Sequence, residues 1–430
     1  MHLTALNIVA LLAFVGFVVV LAKRDAVKTY LLLPLILQGL EAIPSLIFIE
    51  SGGFISEQGR FGHFNGATVY FTLYIVGTVG LSWLGIAWLQ RPLASVGISR
   101  LREDYPILVV LLWSMLAVAF LNLVLSPIPL FSDQYDRFDY WEIARFPFLK
   151  YLLGNVSGFL VIGAGVMYLH RRSTGKLFLA LYLAYLILLG HKFGSIVTAV
   201  YMFYLPHVIY NRPRFRAAVL LRPWTILGAL GVGLLVYLHY RKENPMQHVV
   251  GDNVTLAILY RAFGLQGHVW WGMVEHAKQH APTYNISELA YGMHSLMYSL
   301  SADPKLVDLA IQRGVSFTNG YPAILLKVFP VHLAVLFQLG VIAVTALFTA
   351  MTIRFVLGRQ WILTVVSAQM ISWWFHVLLM GFFYKAGQVA VLLLFIVGYL
   401  LVLRAVGRGP HSFRRRPGAR LVPASGIPGE

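Results

Sequence analysis

The stretch LTALNIVALLAFVGFVVVLAKRDAVK, residues 3–28, decides the fold class. Residues 3–22 carry no charge, and as a helix rising about 1.5 Å per residue they cross roughly 30 Å of hydrocarbon. Lys23, Arg24 and Lys28 follow at once. No basic segment precedes the run and no small-residue cleavage site ends it, so it reads as a retained membrane span and not as a signal peptide.

The rest of the chain repeats this pattern. Of its 430 residues, 58% are hydrophobic and only 12% charged, which excludes a soluble fold because one compact core cannot hide so many long apolar runs. Further runs fall at about 29–49, 67–90, 106–126, 150–170, 222–240, 331–353, 360–380 and 386–404. Two short ones, about 177–190 and 195–210, meet at GHKFG as a helical hairpin. The expected fold is therefore an all-α polytopic membrane protein with about 11 transmembrane helices. Cysteine is absent, which removes disulfides and thiolate metal ligands.

A formal charge of +17 raises the question of a nucleic-acid partner, and its location answers it. The segments 22–28, 90–104, 171–176, 211–222 and 354–360, with the tail from Arg404, hold 21 of the 34 Lys and Arg and only 4 of the 17 acidic residues. The positive-inside rule puts these segments in the cytoplasm, the N-terminus in the periplasm and the C-terminus inside. On the outer side 13 basic residues stand against 12 acidic ones, with Glu41 left inside a span. The excess is a topology signal, and no nucleic acid is needed to explain it. The organisation is then transmembrane helices 1–8 with short loops over residues 1–240, a large periplasmic loop over 241–322, transmembrane helices 9–11 over 323–404, and a basic cytoplasmic tail over 405–430 that reads as disordered and lies against anionic lipid.

A long outer loop on a compact membrane protein is where function is sought. Within it RAFGLQGHVWWG, residues 261–272, gathers a cation, an amide, a histidine, glycines and two tryptophans. His268, Gly272 and Glu275 are spaced to fall within about 40° of Arg261 on one stripe of a helix. Gly264, Gly267 and Gly272 each cost such a helix roughly 1 kcal/mol against alanine, so a neighbouring helix or a ligand must approach the backbone there. Trp270 and Trp271 suit a membrane interface, a sugar or a prenyl chain. An amphipathic helix anchored on the outer leaflet accounts for the same residues without catalysis.

Other candidates flank this run. His191 and Lys192 cap the short hairpin, where lysine either snorkels to the interface or holds an anionic headgroup in a protein-lined cavity. Arg313, with Ser316, Thr318 and Asn319, closes the far end of the long loop and adds a planar fork that fits phosphate oxygens. Glu41 is an intramembrane acid. His248, His276, His280 and His294 lack metal-ligand spacing, and no HExxH, P-loop, dinucleotide fingerprint or GxSxG elbow occurs, so neither metal nor cofactor is expected.

With one dominant outer loop, Arg261 and Gly272 at RX10G spacing, and the runs LGHKFG and QGHVWW, the chain resembles the bacterial O-antigen polymerases of the Wzy type and their relatives the O-antigen ligases. The resemblance implies a glycosyltransferase C-like membrane fold in the bacterial inner membrane. It also implies transfer of a growing glycan from undecaprenyl diphosphate onto a lipid-linked repeat unit at the periplasmic face. The donor and acceptor are undecaprenyl-diphosphate-linked oligosaccharides among membrane lipids, and the protein partner of this family is a Wzz-type chain-length regulator. Under it Arg261, Arg313 and Lys192 are the cations for the leaving diphosphate, and His268 is the first choice of base with Glu275 second. His191, Gln266, Trp270, Trp271, Gly272 and Asn319 then line the substrate. A ligase acting on a lipid A-core acceptor shares these features. A flippase or other polysaccharide transporter concentrates its polar groups along many spans instead.

Overall fold

The computed structural model describes residues 2–95, 105–132, 140–191, 193–212, 233, 234, 237, 241, 251–301, 303–312, 317 and 319–406. Their order is α1 (His2–Arg24), α2 (Ala26–Leu31), α3 (Leu33–Glu50), the strands β1 (Phe54–Ile55) and β2 (Arg60–Phe61), α4 (Ala67–Ser95), α5 (Tyr105–Val124), α6 (Tyr140–Ile143), α7 (Leu149–His170), α8 (Arg172–Leu188) and α9 (Phe193–Tyr210). Then come α10 (Val254–Leu259), α11 (His268–Gln279), α12 (Ser287–Tyr291), α13 (Met293–Leu300), α14 (Pro304–Gln312), α15 (Ala323–Val328), α16 (Val331–Leu357), α17 (Trp361–Met380) and α18 (Ala386–Val406).

Among the described residues seven helices, α1, α3, α4, α5, α16, α17 and α18, are long and apolar enough to cross a membrane. The protein is an all-α, multi-pass membrane protein. The short hairpin read at 177–210 appears as α8 and α9, and the span read at 222–240 lies outside the described residues but for isolated positions. The run read as one span at 29–49 is two helices. Asp25 caps α2 by accepting from the Val27 and Lys28 amides at 3.2 and 3.1 Å, and Pro34, which has no amide to donate, opens α3 after Leu32.

The centre of the bundle is α17, packed between α16 and α7, while α4 lies along α16 and α3. Buried hydroxyls on α16 bond back into their own helix, Thr345 to the Val341 carbonyl and Thr349 to that of Thr345, both at 2.8 Å. These internal bonds remove the cost of placing polar groups among apolar ones. Trp374 of α17 donates to Thr345 Oγ1 at 2.8 Å, which fixes the two helices against each other.

Contacts between connecting segments divide the bundle into two ends. At one end Arg212 Nη2 meets Asp25 Oδ2 at 2.6 Å, Arg359 donates to Tyr210 at 2.8 Å, and His170 stacks on Tyr105 at 3.8 Å and stands edge-on to Trp361. These are the segments that charge alone groups together. At the other end, the described residues of 50–67, 251–330 and 381–385 fold over one another into a cap. Gly292 and Gly320 approach the Met380–Gly381 backbone so closely that a Cβ on either would strike a carbonyl oxygen.

Candidate functional site

Glu50 builds the cap at the end of α3. Its buried carboxylate accepts from Asn7 Nδ2 at 2.8 Å, the Asn65 amide at 3.1 Å, the Ala67 amide at 2.9 Å and Thr68 Oγ1 at 2.5 Å. A full negative charge thus sits on the first amides of α4, where the helix dipole is positive. The segment 63–67 that it fixes is a docking rail for α11. Trp271 donates its indole N–H to the His63 carbonyl and Trp270 to that of Ala67, both at 2.9 Å. Asn65 Nδ2 reaches the Trp271 carbonyl at 3.2 Å, and Lys278 Nζ the Asn65 carbonyl at 2.9 Å.

The β1–β2 hairpin, pairing Phe54 with Phe61 and Ile55 with Arg60, holds the other side of α11. Gln58 Nε2 donates to the His268 carbonyl at 3.0 Å, and its Oε1 accepts from Arg60 Nη2 at 2.8 Å. Arg60 in turn meets Glu275 Oε2 at 3.0 Å and lies over the Trp271 ring at 4.8 Å, with His63 Nε2 at 3.8 Å from the second carboxylate oxygen. Glu275 therefore ties the hairpin to α11 in this arrangement.

The single helical stripe expected over 261–275 is broken. After α10 the chain widens into a π turn, Tyr260–Gly264, and α11 begins only at His268. Two close approaches account for the break. Tyr260 stands edge-on to Phe48 of α3 and donates to the Phe54 carbonyl at 2.9 Å, and the Gly267 amide donates to Ser45 Oγ at 2.8 Å. A Cβ on Gly267 would lie 2.7 Å from Leu46 Cγ and 3.0 Å from the Ala42 carbonyl oxygen. Likewise Gly272 faces Gln58 and Leu300, so at both positions it is protein, a side chain or a helix, that comes close to the backbone.

Arg261, on the π turn, is exposed, and among the described residues no carboxylate pairs with it. Its carbonyl accepts from Gln266 Nε2 at 3.1 Å, and Asn319 Nδ2 donates to the Gln266 carbonyl at 2.9 Å. Asn319 holds φ at 60°, a left-handed conformation that asparagine tolerates better than most residues. Residues far apart in the long loop, 261, 266, 268 and 319, are thus brought to one place.

His268 is 1% exposed, its ring edge-on to Phe317 at 4.8 Å. Nδ1 contacts the Leu265 carbonyl, which can only accept, so Nδ1 carries the proton and Nε2 the lone pair. Nε2 is buried with no partner among the described residues. Burial lowers this histidine below its ordinary value, Glu57 and the Leu265 carbonyl oppose that, and the Arg261 charge adds to it. The imidazole is neutral at pH 7, with an open lone pair on a buried Nε2.

His191 lies at the α8–α9 turn, where its Nδ1 is 3.1 Å from Ser195 Oγ, and α8 packs on 129–131, α5, α7 and α9. Lys192 and Arg313 lie outside the described residues. Glu41 is exposed on α3. No group of three acidic or histidine side chains fit to hold a metal occurs among the described residues. Sequence reasoning missed Glu50, Gln58, Arg60 and Asn65, because their partners lie some 15 to 215 residues away along the chain and no local period marks them.

Residues 287–397 match a family of unknown function, DUF6418. That stretch runs from α12 into α18 and takes in Asn319, while Arg261 and His268 precede it. Nothing among curated proteins matches the chain, and nothing among solved structures does.

Proposed function

We propose that this protein is a membrane glycosyltransferase of the O-antigen polymerase kind, acting at the outer end of the bundle in a bacterial inner membrane, with the N-terminus periplasmic and the C-terminus cytoplasmic. The observation that carries the reading is Arg261: an exposed guanidinium with no acid partner among the described residues, set on a π turn beside a buried neutral histidine with an open lone pair. Single π turns recur at functional sites, and an uncompensated arginine in an ordered cap is suited to a diphosphate.

In the proposed reaction an acceptor hydroxyl oxygen on one lipid-linked repeat attacks the anomeric carbon of the glycan on another. The new C–O bond forms as the bond to the lipid diphosphate breaks, and undecaprenyl diphosphate leaves with the bonding pair. Arg261 stabilises the charge that develops on the departing diphosphate. His268 Nε2 takes the hydroxyl proton, which requires its buried ring to become accessible to the acceptor. Gln266 and Asn319 hold the π turn in register. Trp270 and Trp271 use their indole N–H groups within the protein, so their contribution is to seat α11. The partners under this reading remain the lipid-linked oligosaccharide, membrane lipids and a Wzz-type regulator.

The test supplies purified full-length protein with two lipid-linked repeats and follows formation of the dimeric glycan. Product from the wild type and none from Arg261→Ala supports the assignment. A wild type that transfers glycan only to lipid A-core makes the protein a ligase, and transbilayer movement of the lipid without a new glycosidic bond makes it a flippase.

A further inference from the structure

The last two spanning helices carry a second basic cluster. α17 ends where the Gly381 amide donates to the Val377 carbonyl at 2.7 Å and Gly381 takes φ 72°, a conformation that glycine adopts without strain. The chain then doubles back through a 3-10 turn, Phe383–Lys385, into α18. That reversal brings Lys385 Nζ to 3.0 Å from His376 Nε2, one helical turn before the end of α17. An ammonium only donates, so His376 accepts with Nε2 and carries its proton on Nδ1. The Phe382 and Tyr384 rings lie 5.4 and 5.8 Å from the ammonium, and His294 of α13 stands edge-on to Phe382 at 4.8 Å. Burial first and the Lys385 charge second hold His294 below the usual histidine value, which leaves it a neutral ring at pH 7.

Two cations of the cap are already compensated: Arg60 by Glu275 at 3.0 Å and Lys327 by Glu288 at 2.7 Å. Lys385 is half-buried, and among the described residues no carboxylate pairs with it and nothing but His376 accepts from it. An ammonium braced in one orientation, with two protons to give and no counter-charge, is built to meet an anion. The first amides of α18 add partial positive charge on the same side. All three basic residues fall inside the stretch that matches the family, 287–397.

We propose that Lys385, His376 and His294 form a binding site for a phosphate group at the cap end of α17 and α18. The phosphate belongs to a lipid headgroup or to a soluble phosphate compound, and the experiment separates the two. The inference rests on the proposed function only for the choice of a prenyl diphosphate as the first probe.

Full-length protein in phosphatidylcholine nanodiscs is titrated with a fluorescent farnesyl diphosphate, and monodisperse elution confirms that each variant is folded. Loss of one charge-assisted contact in Lys385→Gln is expected to weaken binding roughly tenfold to a hundredfold, while Lys385→Arg, which keeps the charge, recovers part of that loss. Displacement by inorganic pyrophosphate assigns the site to a soluble phosphate, and displacement by phosphatidylglycerol in the disc assigns it to a lipid headgroup. Wild-type affinity in Lys385→Gln overturns the proposal, as does equal binding of uncharged farnesol. The outcome is independent of whether the protein joins glycans: a polymerase with unchanged Lys385→Gln affinity loses only this site, and a protein without transferase activity that needs Lys385 for the probe keeps it.

Discussion

Removing the Glu50 carboxylate should unseat the whole cap. In Glu50→Ala three groups lose their acceptor outright: Asn7 Nδ2, the Asn65 amide and Thr68 Oγ1. The Ala67 amide keeps Asn65 Oδ1 at 3.0 Å as a second partner, and the Thr68 amide, at 3.4 Å, loses little. Each buried group left unsatisfied costs about 1–3 kcal/mol. The three together come to roughly 3–9 kcal/mol, and since the threonine hydroxyl can turn elsewhere, a figure in the lower half of that range, about 4 kcal/mol, is used. In a large chain 1 kcal/mol moves the melting temperature by about 2 °C, so the transition should fall by roughly 8 °C. Glu50→Gln should fall between, since it keeps one acceptor but turns an NH2 onto donors. Heating the detergent-solubilised full-length protein and measuring the surviving monodisperse fraction gives the comparison. A Glu50→Ala midpoint within about 2 °C of wild type would refute the assignment of this carboxylate as the anchor of 63–67 and α11.

Further outcomes follow from the same geometry. Arg261→Ala should cut glycan transfer on the order of a hundredfold or more and leave the melting temperature within about 1 °C, because the side chain is exposed; Arg261→Lys should recover activity only in part. Gly267→Ala should destabilise by about 1–3 kcal/mol through overpacking against Leu46 and Ala42, and an unchanged midpoint would mean that α3 and the cap are not held at this distance. For His268 the folded value lies below the unfolded one, near 6.5. Its contribution to stability is therefore complete above about pH 6.5 and declines as pH falls below it. Thermal midpoints taken from pH 7.5 down to 5.5 should show this slope, and His268→Gln, which cannot protonate, should flatten it. An identical slope in His268→Gln would assign the loss to other groups.

Much of the fold was legible in the sequence, because a bilayer makes local demands. Residues 3–22 must be helical in hydrocarbon whatever their neighbours do, since every backbone amide has to be satisfied within the segment. The placement of basic residues gave the alternation of ends, and the contacts of Asp25 with Arg212 and of His170 with Trp361 join segments that this alternation assigns to one side. The break between Leu32 and Pro34 is marked locally by the proline, which suits the first turn of a helix and not its interior.

The cap was a different matter. Arg261, His268 and Glu275 fit a helical stripe by spacing, yet the stripe is interrupted, because Gly267 closes onto Ser45 and Tyr260 onto the hairpin. Those contacts join residues more than 200 positions apart, and no periodicity in a polar loop encodes them. The cluster of His294, His376 and Lys385 arises only because Gly381 reverses the chain. Sequence alone determined that this is a multi-pass helical protein, where its basic ends lie and which loop is long. Tertiary structure decided which cations stay uncompensated, because pairing depends on which carboxylate the fold carries within reach, and a sequence does not record distance.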